Sequence, residues 1–169
     1  MSTAAAVPLA EYLATSYRPD REYLEGSILE RNLGEFDHSR LQLLIAMALA
    51  AREVELNAYA LPEQRVQVRA TRFRIPDVCL IRRQDREQII RRAPLLCVEI
   101  LSPEDTMSST QERIDDYLMM GVPTVWVVDP KLRRGFIYNA SGMTPAVNGV
   151  LQATHLNYTL DLTPLFAQL

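Results

Sequence analysis

The sequence predicts an α/β fold, a central mixed β-sheet flanked by helices, on three observations. Residues 74–81 and 95–101 are short apolar, β-branched runs that read as buried strands. Residues 95–128 run strand, helix of about three turns, strand, a crossover unit whose two strands are parallel neighbours. Leu41, Leu44, Ile45, Ala48 and Leu49 follow the i, i+3, i+4, i+7, i+8 spacing of a helix with one buried stripe.

The remaining elements follow in order. Residues 8–16 open on a proline suited to a first helical turn, with Leu9, Tyr12 and Leu13 as an apolar stripe. Glu25-Gly26 is a turn between residues 21–24 and 27–31, which predicts a hairpin. Asp37 is the expected N-cap of the Leu41 helix, placing His38 in its first turn. Residues 58–70 have β character through Val66 and Val68 and are expected as one strand beside residues 75–81. Residues 82–93 form a polar connector. Ser109 and Glu112 have capping-box spacing, opening a helix that ends at Gly121 with Ile114, Tyr117 and Leu118 facing inward. Residues 124–128 are a strand closed by Asp129-Pro130, Trp126 and Tyr117 are expected in the core, residues 135–139 and 150–157 add edge strands, and Thr163-Pro164 starts a last helical turn.

Composition sets the class. A chain of 169 residues with 48% hydrophobic and 23% charged residues is expected to form one domain, residues 1–169, around a single core. No apolar run approaches the roughly 20 residues that cross a bilayer, and residues 1–6 lack the pattern of a signal peptide, so the expected location is the cytoplasm. Two cysteines in strand-like segments fit reduced core thiols. The net charge of −3 does not advertise a nucleic-acid binder. Lys131 is the only lysine, yet arginines 65, 69, 72, 74, 82, 83, 86, 91 and 92 crowd around the acidic strands. They suit either phosphate tracking or a solvated face.

Each of the two buried strands carries one carboxylate, Asp77 and Glu99, and an acid in such a run stays charged only beside a cation or strong donors. Side chains alternate along a strand, so Asp77 shares a face with Cys79, and Glu99 with Cys97. An antiparallel register that sets Asp77 opposite Glu99 also sets Cys79 opposite Cys97. Directly opposed Cβ atoms are about 4.5–5.5 Å apart, and two carboxylates that close call for a shared proton or a hard divalent cation.

At this point the sequence resembles a family. Pro76-Asp77, Glu99-Ile100-Leu101-Ser102-Pro103, the span from Arg113 to Tyr117, and Gly121-Val122-Pro123 leading through Trp126 to Asp129-Pro130 resemble the Uma-type branch of the PD-(D/E)xK nucleases. The resemblance covers nearly the whole chain and implies a restriction-endonuclease-like core with extra terminal strands. It also implies endonuclease activity on DNA, Asp77 and Glu99 as ligands of Mg²⁺ or Mn²⁺, and a homodimer. Most members carry a lysine two residues after the second acid, where this chain has Leu101; the Uma-type branch supplies it from the next helix, where this chain has Arg113. Arginine binds phosphate but does not act as a base. Arg113 is therefore expected to contact phosphate or pair with Glu99, and Lys131 to lie outside the site. The family pattern also falls on Glu22, a further metal or water ligand against a solvent-facing strand acid, and on His38, a site-adjacent group against a packed or capping histidine.

Three functions are consistent with these residues: a metal-dependent DNA endonuclease, a nuclease fold that has become a nucleic-acid or protein binding module, and a structural protein whose acids are neutralised by arginines. Two histidines and two strand cysteines leave no zinc-hydrolase set.

Overall fold

The computed structural model describes residues 6–30 and 35–169. Its centre is a six-stranded mixed sheet in the order β10-β9-β8-β7-β6-β3. These strands are β3 (Ala58–Pro62), β6 (Val78–Arg82), β7 (Leu96–Ile100), β8 (Val125–Asp129), β9 (Arg134–Asn139) and β10 (Gly142–Pro145). As the crossover requires, β7 and β8 are parallel, while every other pair in this sheet is antiparallel. A second sheet runs β2-β1-β5-β4, from β1 (Arg21–Leu24), β2 (Ser27–Glu30), β4 (Val66–Arg69) and β5 (Arg72–Arg74). A third is the hairpin of β11 (Val150–Ala153) and β12 (Tyr158–Asp161).

The period of two along β6 and β7 divides the core. Val78, Leu80, Leu96 and Val98 face a cluster containing Leu41, Ile45 and Leu49 of α2 (Phe36–Ala50) and Leu165 and Phe166 of α4 (Thr163–Phe166). Cys79, Ile81 and Cys97 face the opposite cluster with Ile114 and Tyr117 of α3 (Met107–Met120). α1 (Leu9–Ala14) closes a small aromatic cluster in which Tyr12 stacks on Tyr23 and meets Phe73. Leu13, expected in that stripe, is exposed.

Several boundaries differ from the expectation. Residues 58–70 form two strands in two sheets: the chain ends β3 at Pro62, turns at Glu63 with φ 49°, and enters the other sheet as β4. Pro62 lacks a donor, and β3 is an edge strand, where that is tolerated. α2 begins one residue before Asp37, with Glu35 at the N-cap and no side-chain cap bond. Asp37 instead sits in the first turn, where a carboxylate suits the helix dipole. The capping box of α3 is Thr106 and Ser109, one turn upstream of the predicted pair, with Ser109 N–H donating to Thr106 Oγ1 at 3.1 Å and Thr106 N–H to Ser109 Oγ at 3.1 Å. That frees Glu112 to reach the arginines of β5. Gly121 ends α3 in the left-handed region at φ 100°, the conformation a glycine C-cap supplies at least cost. The hairpin of β1 and β2 is as expected around Glu25-Gly26; Arg31 lies outside the described residues.

Candidate active site

The predicted register is the observed one. Cys79 pairs with Cys97 and Val78 with Val98, which brings Asp77, the residue before β6, up to Glu99 near the end of β7. Both cysteines are buried free thiols. Asp77 and Glu99 are themselves buried, at 3% and 5% exposure, so their charge balance must be met locally.

Different groups hold the two acids. Asp77 Oδ2 accepts the Ile100 N–H at 2.7 Å and lies 3.4 Å from His38 Nε2, while its carbonyl accepts from Gln42 at 3.0 Å. Glu99 Oε1 accepts the Tyr117 hydroxyl at 2.7 Å, and Oε2 lies 3.0 Å from Arg113 Nε. Arg113 and Tyr117 are four residues apart on α3 and so share the face turned to β7. Burial is the main cause that pushes the Glu99 carboxyl up to about 8; Arg113 opposes the shift and Asp77 adds to it.

All five predicted site residues, Glu22, His38, Asp77, Glu99 and Arg113, line one cleft of about 650 Å³. Glu22 is no solvent-facing acid. It is 5% exposed, Oε2 accepts from Arg74 Nη1 at 2.7 Å, and Oε1 accepts the Ile75 N–H at 3.1 Å. His38 sits against Asp77 rather than capping its helix. Lys131 is exposed in the turn after β8 and is not a lining residue.

Three further residues belong to this constellation and escaped the sequence. Arg74, counted there among possible phosphate contacts, is 2% exposed and bridges Glu22 to Asp116, whose Oδ2 is 2.7 Å from Arg74 Nε. Asp116 is 1% exposed and also accepts from Arg72 Nη1 at 3.0 Å. Asp105 accepts from Arg113 Nη2 at 2.7 Å. Arg74 had one available signal: a charged residue between Phe73 and Ile75 in an apolar run needs a buried partner. Tyr117 is a core residue as expected, and its hydroxyl also reaches the site.

The arginine cluster divides. Arg72 and Arg74 are consumed in internal ion pairs, and Arg82 and Arg92 flank Asp85 at the end of β6 remote from Asp77. The cleft is consequently acidic: nine Asp and Glu residues line it against Arg74 and Arg113. Among the described residues, no group of three or more His, Cys, Asp or Glu is placed to hold a metal ion, and no helix is long and apolar enough to cross a membrane.

Comparison with known proteins places this geometry in a family. A crystal structure from Anabaena variabilis ATCC 29413, described as a putative nuclease belonging to DUF820, superposes with a TM-score of 0.84 at 22% identity, covering 95% of this chain and 98% of that one. At that identity the likeness shows a shared fold, the restriction-endonuclease-like architecture of a mixed sheet flanked by helices. No curated protein matches the chain. The model of the family Uma2, "Putative restriction endonuclease", matches residues 9–167, and the chain therefore belongs to that family.

Proposed function

We propose that this protein is a divalent-metal-dependent DNA endonuclease in which Asp77 and Glu99 hold Mg²⁺ or Mn²⁺. The observation that carries the reading is the pair of buried carboxylates, Asp77 just before β6 and Glu99 on β7, that the strand register brings together in the lining of one cleft. The donor set fits such an ion. Carboxylate oxygens suit hard cations, and magnesium commonly takes one or two carboxylates and fills its other positions with water and phosphate oxygens.

An ion there would polarise the scissile phosphate and lower the pKa of a coordinated water. The chain's own residues do the rest. The Ile100 N–H and His38 hold Asp77, and the Tyr117 hydroxyl holds Glu99. Arg113 supplies positive charge towards a phosphate oxygen but stays protonated, so it takes no proton from water. A two-fold homodimer would present two clefts to duplex DNA.

The test is nicking of supercoiled plasmid with Mg²⁺ or Mn²⁺. Cleavage should need the metal, stop with EDTA and vanish in Glu99→Ala; cleavage that persists in folded Glu99→Ala removes Glu99 from the site. A second reading, a nuclease fold acting as a binding module, is favoured by one observation: Arg113 stands where the branch supplies a lysine and is already paired with Glu99 and Asp105. Arg113→Lys separates the two, since nicking that rises at least tenfold means the remaining site is assembled for turnover.

A further inference from the structure

We infer that Asp105 is a positioning residue that fixes the Arg113 guanidinium on the face of Glu99 where a divalent ion would bind, so that Arg113 is a resident competitor of that ion. This rests on the metal-site reading above and adds to it the device that sets the site's affinity.

The geometry of Arg113 shows which partner places it. Its Nη2 makes a 2.7 Å hydrogen bond to Asp105 Oδ1, a well-formed charge-assisted contact. Its Nε, 3.0 Å from Glu99 Oε2, is buried yet makes no hydrogen bond, so the Glu99 contact is coulombic and poorly aligned. A side chain anchored by Glu99 would show the reverse. Asp105 is itself fixed: Oδ2 accepts the Ser102 N–H at 2.8 Å, and its side chain is 9% exposed. The loop after β7 thus carries the clamp, and α3 carries the arginine.

The consequence is electrostatic. A guanidinium does not lose its proton, so its charge opposes a divalent ion at Glu99 at any working pH. At separations of a few ångströms near a protein surface, one unit charge changes such an affinity on the order of tenfold or more. Removing the arginine charge should tighten metal binding. Removing the Asp105 charge should weaken it, because the site becomes one charge more positive and the guanidinium beside Glu99 is no longer offset by Asp105. If Asp105 acts through Arg113, its loss should matter much less once Arg113 is gone.

The experiment is calorimetric titration of Mn²⁺ into the full chain, with DNA absent, for the unaltered protein, Arg113→Gln, Asp105→Asn and the double variant, each checked for folding by its melting curve. The isosteric Asp105→Asn keeps an acceptor for Ser102. Arg113→Met, which keeps the apolar stem, replaces Arg113→Gln if that variant does not fold. Expected are binding about tenfold tighter without Arg113, weaker binding in Asp105→Asn, and a smaller Asp105 effect in the double variant. Unchanged affinity in both single variants overturns the inference, and an Asp105 effect of the same size in both backgrounds overturns the positioning role. Glu99→Gln distinguishes the two levels of the argument. If Mn²⁺ fails to bind any variant, or binds Glu99→Gln as well as the unaltered protein, the metal-site reading fails and takes this inference with it.

Discussion

Helix α3 touches two buried carboxylates that are treated in opposite ways. Asp116, one turn from Arg113, lies between Arg74 at 2.7 Å and Arg72 at 3.0 Å, with Arg69 at 3.6 Å. Glu99, on the facing strand β7, has one poorly aligned arginine, one tyrosine hydroxyl and, nearby, the second carboxylate of Asp77. The first acid is compensated more than once; the second has one arginine beside it, and burial, which that arginine only partly offsets, pushes its carboxyl up to about 8. A chain that needed Glu99 only for stability could have paired it as it paired Asp116. That contrast is one on which the proposed role of Glu99 as a metal ligand rests.

The largest test of that contrast removes the compensated acid. Asp116→Ala strands the Arg74 guanidinium, 2% exposed, with Glu22 and a more distant Glu112, and breaking a buried pair from one side costs about 3–5 kcal/mol. Urea unfolding should show a loss of that order. A loss below about 1 kcal/mol, as at exposed pairs, would put Asp116 and Glu99 in the same class and end the comparison.

Glu99→Gln should behave in the opposite way. It keeps an acceptor for Tyr117 and replaces a carboxyl that burial holds largely neutral at neutral pH, so stability there should be unchanged. The pH dependence gives the sharper reading. The folded protein holds the Glu99 proton up to about 8, whereas the unfolded chain releases it near 4.5, so between those values the folded state binds more protons. Its contribution to stability is full below about 4.5 and is lost as pH rises through 8. Unfolding free energies measured across that window should fall with pH by a component that Glu99→Gln lacks. If the two proteins track one another, Glu99 is ionised at neutral pH and the upward shift is not real. Metal binding should strengthen over the same window, since ligation displaces the proton.

The local pattern showed the frame of this site but not its counter-charges. The pairing of Cys79 with Cys97 followed from alternation and a shared register, because strand geometry leaves few choices once two acids are required to meet. The crossover from β7 to β8 was legible for a similar reason, since chain connectivity restricts handedness and neighbours. Arg74 with Asp116 and Arg113 with Asp105 were not. The first pair joins elements 42 residues apart that tertiary packing brings together, the second joins α3 to the loop just before it, and the periodicity of α3 specifies neither partner. The split of residues 58–70 was hidden similarly: Val66 and Val68 alternate as a strand should, and which of two sheets accepts them is decided elsewhere. His38 and Glu22 could be located, but their engagement with Asp77 and Arg74 required the fold.

Tyr117 gives the smallest effect and the finest discrimination. Its ring packs with Ile114 and Val125, and phenylalanine would keep that burial while removing the hydroxyl that donates to Glu99 Oε1. Because the hydrogen bond favours the ionised carboxylate, its loss should carry the Glu99 transition to higher pH and extend the window over which stability declines. The cost in unfolding free energy should be about 1 kcal/mol, the ordinary net worth of one hydrogen bond, and larger at high pH than at low, where the carboxyl is neutral in either protein. A Tyr117→Phe loss that is the same at both ends of the range would mean that the hydroxyl serves packing alone. A loss that grows with pH would mean that it shares with Arg113 the task of holding the ionised Glu99 carboxylate.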